Sequence, residues 1–326
     1  MKLGVIGTMV WDRIYARDRR SEPFEEWGGI TYALAAADAA RPPGWQIVPI
    51  LKVGADLREQ ALRFLHTLEG ADLETGIRVV DAPNNRVELR YQDEARRCER
   101  LTGGVPRWTW AELEPIVSQV DALYINFISG FEMDLETVTR LRYGFHGPMY
   151  ADLHSLFLGV DATGLRVPRP LEHWRDWLRC FDVVQMNEDE LSMLASAWGD
   201  PWLFAADVVG DGLKLLLITL GERGAAYVAA PNFQADPTTW RPRGLVVPSL
   251  TPLAGSTSRR IAPSGGPRTG DPTGSGDVWG ATCFLRLLAG DDLDVAIETA
   301  NEAAARNVSY RGATGLNYYL RGQLGR

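Results

Sequence analysis

Cysteine is scarce: Cys98, Cys180 and Cys283 are the only three in 326 residues. Their odd number and irregular spacing exclude a disulfide framework and a cysteine-based metal site, and they read as free thiols in a reducing compartment. Long apolar runs are lacking as well. No stretch approaches the ~20 uncharged apolar residues that a membrane span needs, and the opening run 1–7 meets Asp12 and Arg13 too soon for a secretory leader. Basic residues fall short of acidic ones, 34 against 42, for a net charge of -8. That balance argues against nucleic acid as the main partner, because phosphate backbones select basic surfaces. These absences predict a cytoplasmic protein that acts on a small molecule, with no membrane partner.

What is present suits a folded chain. Hydrophobic residues make up 45% and charged residues 23%, which excludes wholesale disorder and fills a core without disulfides or metals. Short apolar runs at 3–7, 47–53, 122–126, 149–152, 183–186 and 215–219 have the length and flanks of buried strands. Helical spacing occupies 31–40, 57–68, 110–120, 135–143 and 188–198. Such alternation predicts one α/β domain over 1–326, a three-layer α/β/α fold with a mostly parallel central sheet. Two segments break the rhythm. Residues 12–27 are polar, and within 77–93 apolar and polar residues alternate, so both read as strands of a small β lid with one wet face. Residues 231–270 are rich in Pro, Gly, Ser, Thr and Arg and read as a long loop, either functional or disordered.

The most informative stretch is Asp271-Pro272-Thr273-Gly274-Ser275-Gly276-Asp277, followed by an apolar segment that reads as a buried helix. Small residues thus open a helix, where unpaired N–H groups and the positive dipole end favour an anion. Gly274 and Gly276 let a phosphate approach the backbone, since no Cβ stands in the way. Two readings of Asp277 stay open at this level. It is a base that takes a proton from a hydroxyl attacking a γ-phosphate, or it caps the helix together with Asp271. The turn matches neither a P-loop nor a dinucleotide fingerprint.

The turn resembles the D-T-x-G-A-G-D signature of the ribokinase-like (PfkB) family, departing from it at Pro272 and Ser275. The resemblance implies that Gly274, Ser275 and Gly276 form an anion hole for the transferring phosphoryl group and that Asp277 is the catalytic base. Further segments match in order. Asn187-Glu188-Asp189-Glu190 resembles the family's N-x-x-E, which implies that Asn187 and Glu190 position Mg2+ and the donor phosphates, Glu190 through water. Thr219, Gly221 and Gly224 fall on a T-x-G-x-x-G pattern that lines the ATP site. Gly28-Gly29 matches the di-glycine of the sugar pocket, and Asp12 stands where a family Asp binds two substrate hydroxyls. The segment 300–305, with Asn301, and Gly312-Ala313 look like the helix and turn that flank the adenine. The resemblance also allows a monovalent cation such as K+ near Asp271 and Thr273. Plainer readings stand beside these: a capping box for Asn187 and Glu190, and hairpin-turn glycines for Gly221 and Gly224.

The acceptor end departs from the pattern. Ala33 occupies the position of a family Asn that contacts sugar hydroxyls, leaving Thr31 or Tyr32 to compensate. Arg86 and Arg90 share one face of the expected lid, either as an anion clamp or as a solvated face. Asp152 and His154 end a strand where α/β ligands bind. The segment 264–270 looks like an insertion before the signature. The expected activity is ATP-dependent phosphorylation of a sugar or polyol. The rivals are a nucleoside kinase, a non-catalytic sugar or nucleotide sensor, and a dinucleotide-dependent oxidoreductase. An exposed lid edge also leaves room for a homodimer.

Overall fold

The computed structural model describes residues 1–15, 23–91, 97–210, 212–231, 233–240, 255–266 and 268–324. Along the chain, its strands are β1 (Lys2–Ile6), β2 (Met9–Tyr15), β3 (Phe24–Gly29), β4 (Gln46–Gly54) and β5 (Ile77–Val80). They continue with β6 (Arg86–Tyr91), β7 (Arg97–Thr102), β8 (Ala122–Asn126), β9 (Met149–Asp152) and β10 (Leu158–Val160). The last are β11 (Arg166–Pro168), β12 (Val183–Asn187), β13 (Leu215–Thr219), β14 (Ala225–Ala229) and β15 (Thr257–Ile261). The helices are α1 (Ile30–Ala40), α2 (Arg58–Leu65), α3 (Trp110–Val117), α4 (Leu135–Gly144) and α5 (Trp174–Arg179). After them come α6 (Glu188–Leu194), α7 (Pro201–Val208), α8 (Ser275–Leu288), α9 (Leu293–Val308) and α10 (Leu316–Leu320).

Nine strands form the central sheet in the order β15-β14-β13-β12-β9-β8-β1-β4-β5. All its neighbours run parallel except β13–β14 and β14–β15. The inner strands are largely apolar because both faces are covered. In β13, Leu215 and Leu217 join the core formed with α1, α2 and α8–α10, while Leu216 and Ile218 join the core formed with α3–α7. Successive side chains point to opposite faces, so a five-residue strand feeds two cores. Each fully buried Leu or Ile contributes about 1.5–3 kcal/mol. Among the described residues no helix is long and apolar enough to cross a membrane.

A second sheet, ordered β3-β2-β6-β7, stands apart from the nine strands. It contains Asp12–Tyr15 and Phe24–Trp27 of the 12–27 segment and Arg86–Tyr91 of the 77–93 segment; residues 16–22 and 92–93 lie outside the described residues. The earlier part differs from expectation: Ile77–Val80 pairs in parallel with β4 at the edge of the central sheet. Its two wet residues reflect that edge position and not membership of the lid. The outer strand of the small sheet at 97–102 was not legible, because Arg97-Cys98-Glu99-Arg100-Leu101-Thr102 is mostly polar. The flank of β7 is taken by the β10–β11 hairpin, with Leu101 N donating to Gly164 O at 2.8 Å. An edge-to-edge dimer through the lid is therefore not open to β7.

The 231–270 segment also differs from a plain loop. Thr257–Ile261 is a strand that pairs antiparallel with β14, which polar Thr, Ser and Arg residues permit at an edge with one exposed face. Residues 241–254 lie outside the described residues.

The C-terminus is tied back through a buried carboxylate. Asp38 in α1 accepts from Arg41 Nε at 3.0 Å, Gly70 N at 2.9 Å, Asn317 Nδ2 at 2.9 Å and Arg321 Nη2 at 3.0 Å. Burial pushes its pKa up, but the bonds from Asn317, Arg41 and Gly70 and the Arg321 charge outweigh it and hold it below 3.8. A group lowered on folding stabilises fully above its unfolded pKa, and that stability is lost as pH falls through the folded value. Asp38→Ala should cost about 3–5 kcal/mol, because two arginines lose their buried partner. Denaturant titration at neutral pH checks it, and the wild-type advantage should fade when both proteins are titrated at progressively lower pH below 3.8.

Candidate active site

The site is built where the N-termini of α1 and α8 meet. Gly274 precedes α8 with φ 74°, and a Cβ there would lie 2.2 Å from the Tyr32 ring. Only glycine fits both the left-handed backbone and that contact. Asp271 Oδ1 accepts from Thr273 N at 2.9 Å, and Asn307 Nδ2 donates to Thr273 O at 2.9 Å and to Ser275 Oγ at 3.1 Å. These bonds fix the turn ahead of a helix whose first amides have no intrahelical acceptor.

Asp277 stands in the first turn of α8. Asn126, at the end of β8, donates from Nδ2 to Asp277 Oδ1 at 2.6 Å. A second polar prop comes from the neighbouring strands: Tyr150 donates to Gln185 Oε1 at 2.7 Å, and Gln185 Nε2 donates to Gly276 O at 3.1 Å. Gly280 makes room for both props, since a Cβ there would meet Gln185 Oε1 at 2.1 Å and the Tyr124 hydroxyl at 2.6 Å. Asn126 Oδ1 and the Tyr124 hydroxyl are buried without a hydrogen-bond partner. An orphan of this kind costs about 1–3 kcal/mol.

The residues expected to hold the acceptor gather around Gly28 and the start of α1. Asp12 is buried, and a Cβ on Gly28 would lie 1.8 Å from its carboxylate. Gly29, with φ 62°, starts α1, and a Cβ there would meet Thr8 O and Ile128 at 2.7 Å. Thr31 Oγ1 is spent on Gly28 O at 3.0 Å, and Ala33 is fully buried in the core. Burial, and then the negative charges of Asp12, Glu26, Asp271 and Asp277, push the Tyr32 phenol far up. The charges of Asp12 and Asp277 thus both reach this one side chain. Arg86 and Arg90 are committed elsewhere. Arg86 pairs with Asp56 at 2.8 Å, while Arg90 lies 3.9 Å over the Tyr15 ring and 3.3 Å from Glu88. Both pairs are partly exposed, as a solvated lid face would be.

A cleft of about 620 Å³ opens beside the α8 N-terminus. Thr219, Gly221, Gly224, Ser275, Gly276 and Asn301 all line it, so the structure gathers these expected nucleotide residues in one place. Some also serve the fold. Leu220 N donates to Gly224 O at 2.8 Å in the β13–β14 turn. Asn301 accepts from Trp279 Nε1 at 2.8 Å and donates to Ile261 O at 3.3 Å. Residues 264–266, 268 and 270 border the same cleft.

Asn187 and Glu190 form a capping box on α6. Glu190 Oε2 accepts from Asn187 N and Oε1 from Asn187 Nδ2, both at 2.8 Å, and Asn187 Oδ1 accepts from Glu190 N at 2.9 Å. His154 Nδ1 is 2.6 Å from Glu190 Oε1. Both carboxylate oxygens are therefore engaged in hydrogen bonds. Among the described residues no three His, Cys, Asp or Glu side chains are grouped to hold a metal. Burial pushes the Asp152 carboxyl up to about 8, with the Glu190 charge adding to it. For His154 burial pulls down, but the Glu190 hydrogen bond and the charges of Glu190, Asp152 and Asp277 raise it to about 9. Sequence reasoning missed Asn126 and Gln185 and left His154 without a role. A polar residue ending an apolar strand was the available signal, since α/β sites gather at those ends.

The PfkB model, described as the pfkB family carbohydrate kinase, matches residues 48–317. The chain belongs to the pfkB family of carbohydrate kinases. A search among curated proteins finds no match. Solved structures similar to this pfkB-family chain include an Arabidopsis thaliana ribokinase complexed with ribose and ATP, at 17% identity and TM-score 0.68, covering 99% of this chain and 98% of that one. A Burkholderia thailandensis nucleoside kinase in complex with inosine has 17% identity and TM-score 0.68, covering 99% and 96%. A pyrophosphate-dependent kinase in the ribokinase family, complexed with a pyrophosphate analog and myo-inositol, has 16% identity and TM-score 0.71, covering 99% and 100%. These likenesses show the ribokinase-like fold, and pfkB-family carbohydrate kinases are phosphotransferases.

His154 is 48% exposed by its side chain, so solvent screens part of its raised pKa. NMR titration should place its midpoint above 7 and move it back towards 6.5 in Glu190→Gln. Because the folded pKa is raised, this contact stabilises most below 6.5 and its contribution is lost as pH rises through the folded value.

Proposed function

We propose that this pfkB-family protein transfers the γ-phosphoryl group of MgATP to a hydroxyl of a small sugar or polyol, with Asp277 as the base. The observation that carries the reading is Tyr32, which packs on Gly274 and feels both Asp12 and Asp277. It joins the acceptor-side carboxylate to the base at the helix end that borders the cleft. Asp12 binds acceptor hydroxyls against Gly28. The Tyr32 hydroxyl, which makes no hydrogen bond among the described residues, stands in for the contact that Ala33 cannot make. Asp277 takes the hydroxyl proton as the oxygen attacks. The Gly274, Ser275 and Gly276 backbone stabilises charge on the moving phosphoryl group through aligned amides. MgATP, when bound, supplies that group and a divalent charge. Thr219, Gly221, Gly224 and Asn301 border the nucleotide, and Asn187 and Glu190 orient magnesium-bound water. The buried, unpartnered Asn307 Oδ1 beside the Asp271–Thr273 turn fits a monovalent cation such as K+ there.

Two alternatives keep the same machinery. A nucleoside acceptor is one, as in the inosine-bound neighbour. A pyrophosphate donor is the other, as in the pyrophosphate-dependent neighbour. The cleft favours a nucleotide over pyrophosphate, because Trp279, Ala304, Ala305 and Val308 give it an apolar wall that pyrophosphate would leave bare. A binding-only sensor has no use for a carboxylate held against the anion-binding turn.

Coupled ADP release with MgATP, and phosphate release with pyrophosphate, should be measured against a panel of sugars, polyols and nucleosides. The expected result is acceptor-dependent turnover with MgATP that falls about 10²–10⁴-fold in Asp277→Asn. ATP binding without turnover on any acceptor would favour the sensor, and no ATP binding would remove the reading. Gly28→Ala displaces Asp12 and should raise the acceptor KM at least about tenfold with the KM for MgATP unchanged. Steady-state kinetics with each substrate varied in turn check this.

A further inference from the structure

The strand-end amides under α8 are unusual in what they lack. Asn126 is fully buried, yet its Oδ1 finds no partner, and the Tyr124 hydroxyl beside it is an orphan too. Burial acts first on that hydroxyl, then the charges of Asp152 and Asp277, and the Asn126 amide beside it opposes them. A leucine at 126 would bring no buried acceptor of its own, so packing does not explain the amide's unpartnered Oδ1. The one strong bond Asn126 makes is the 2.6 Å donation to Asp277 Oδ1. Gln185 repeats the arrangement one residue earlier, reaching Gly276 O while its own oxygen is held by Tyr150. Gly280 is what permits the sheet to come this close, because any Cβ there would strike Gln185 and Tyr124.

We infer that Asn126 is a positioning residue for phosphoryl transfer. It pins one oxygen of Asp277 from the sheet side and so fixes the direction of the carboxylate, while Gln185 holds the adjoining anion-binding turn. The anchor lies on a rigid central strand, 151 residues away in sequence, so the base does not depend on the helix end alone for its direction. Proton transfer needs the carboxylate oxygen within about an ångström of its productive place. This rests on the reading of Asp277 as the base.

The test is a double-mutant cycle on the full chain with MgATP and D-ribose, myo-inositol or inosine, whichever the wild type turns over fastest. Asn126→Leu should lower kcat about 10²-fold while both KM values stay within about threefold. Its Tm should be equal to or above that of the wild type, since an orphaned acceptor is removed, and MgADP should still bind. In an Asp277→Asn background the same substitution should change the residual rate less than about twofold, because the partner is already gone. If Asn126→Leu fails to fold, the isosteric Asn126→Asp, which replaces the donor by an acceptor, carries the same cycle. An unchanged kcat with a lowered Tm would make Asn126 merely structural. Equal losses in both backgrounds would show that it acts independently of Asp277, and either outcome overturns the inference. If Asp277→Asn itself keeps full turnover, the base assignment fails first, and that result is distinct from the other two. A wild type inert with all three acceptors would likewise remove the reading beneath the inference.

Discussion

The contact between Tyr32 and Gly274 sets the geometry on which the site depends. It needs a residue without a Cβ, in a left-handed conformation, at the start of α8, and an aromatic ring in the first turn of α1. When it forms, two helix N-termini approach each other over the same edge of the sheet. The negative charges of Asp12 and Asp277 then both act on the Tyr32 hydroxyl. Neither half would be placed for group transfer alone. Moving either helix by an ångström would cost orders of magnitude in rate, because reacting groups must be held near attack distance.

The surrounding structure reads as support for that approach. The core on one face of the sheet fixes α1, α8 and α9 as a unit. Asp38 ties α1 to the C-terminal α10, and Asn307 in α9 holds the turn that precedes α8. Glu26 in the small sheet accepts from Thr314 N at 3.1 Å, and Arg311 packs 4.1 Å over Phe24. The acceptor-side sheet and the turn after α9 are therefore joined, so a shift in one is felt by the other. Asp152, His154 and Glu190 form a titratable group whose charges reach one another and Asp277; burial raises the carboxyl of Asp152, and the Glu190 hydrogen bond and the neighbouring carboxylates raise His154. Perturbed groups of this kind gather where charge must be managed during a reaction.

Much of this was legible in the sequence for physical reasons. Central strands such as Leu215–Thr219 are apolar on both faces, and no solvent-facing residue blurs their length. The Gly274–Asp277 turn was legible because small residues before an apolar helix leave few other structural meanings. Edge and lid elements were harder. Ile77–Val80 alternates because it lies at a sheet edge, which looks the same in sequence as a lid strand. Thr257–Ile261 is so polar that it resembles a loop until its pairing with β14 is seen. Arg86 and Arg90 have the right chemistry for an anion, but Asp56, Glu88 and Tyr15 already occupy them. Asn126 and Gln185 were hidden because a polar residue at a strand end has no spacing partner. Their meaning comes from helix α8, which lies far away in the chain and close in space.

The most direct measurement is 31P NMR of the wild-type protein incubated with MgATP and a mixture of candidate sugars and polyols. The account predicts loss of the γ-phosphate signal, growth of ADP and the appearance of a phosphate monoester, all of which need the acceptor. Inorganic phosphate as the sole new product, or spectra unchanged over hours with every acceptor present, would contradict phosphoryl transfer to a hydroxyl at this site.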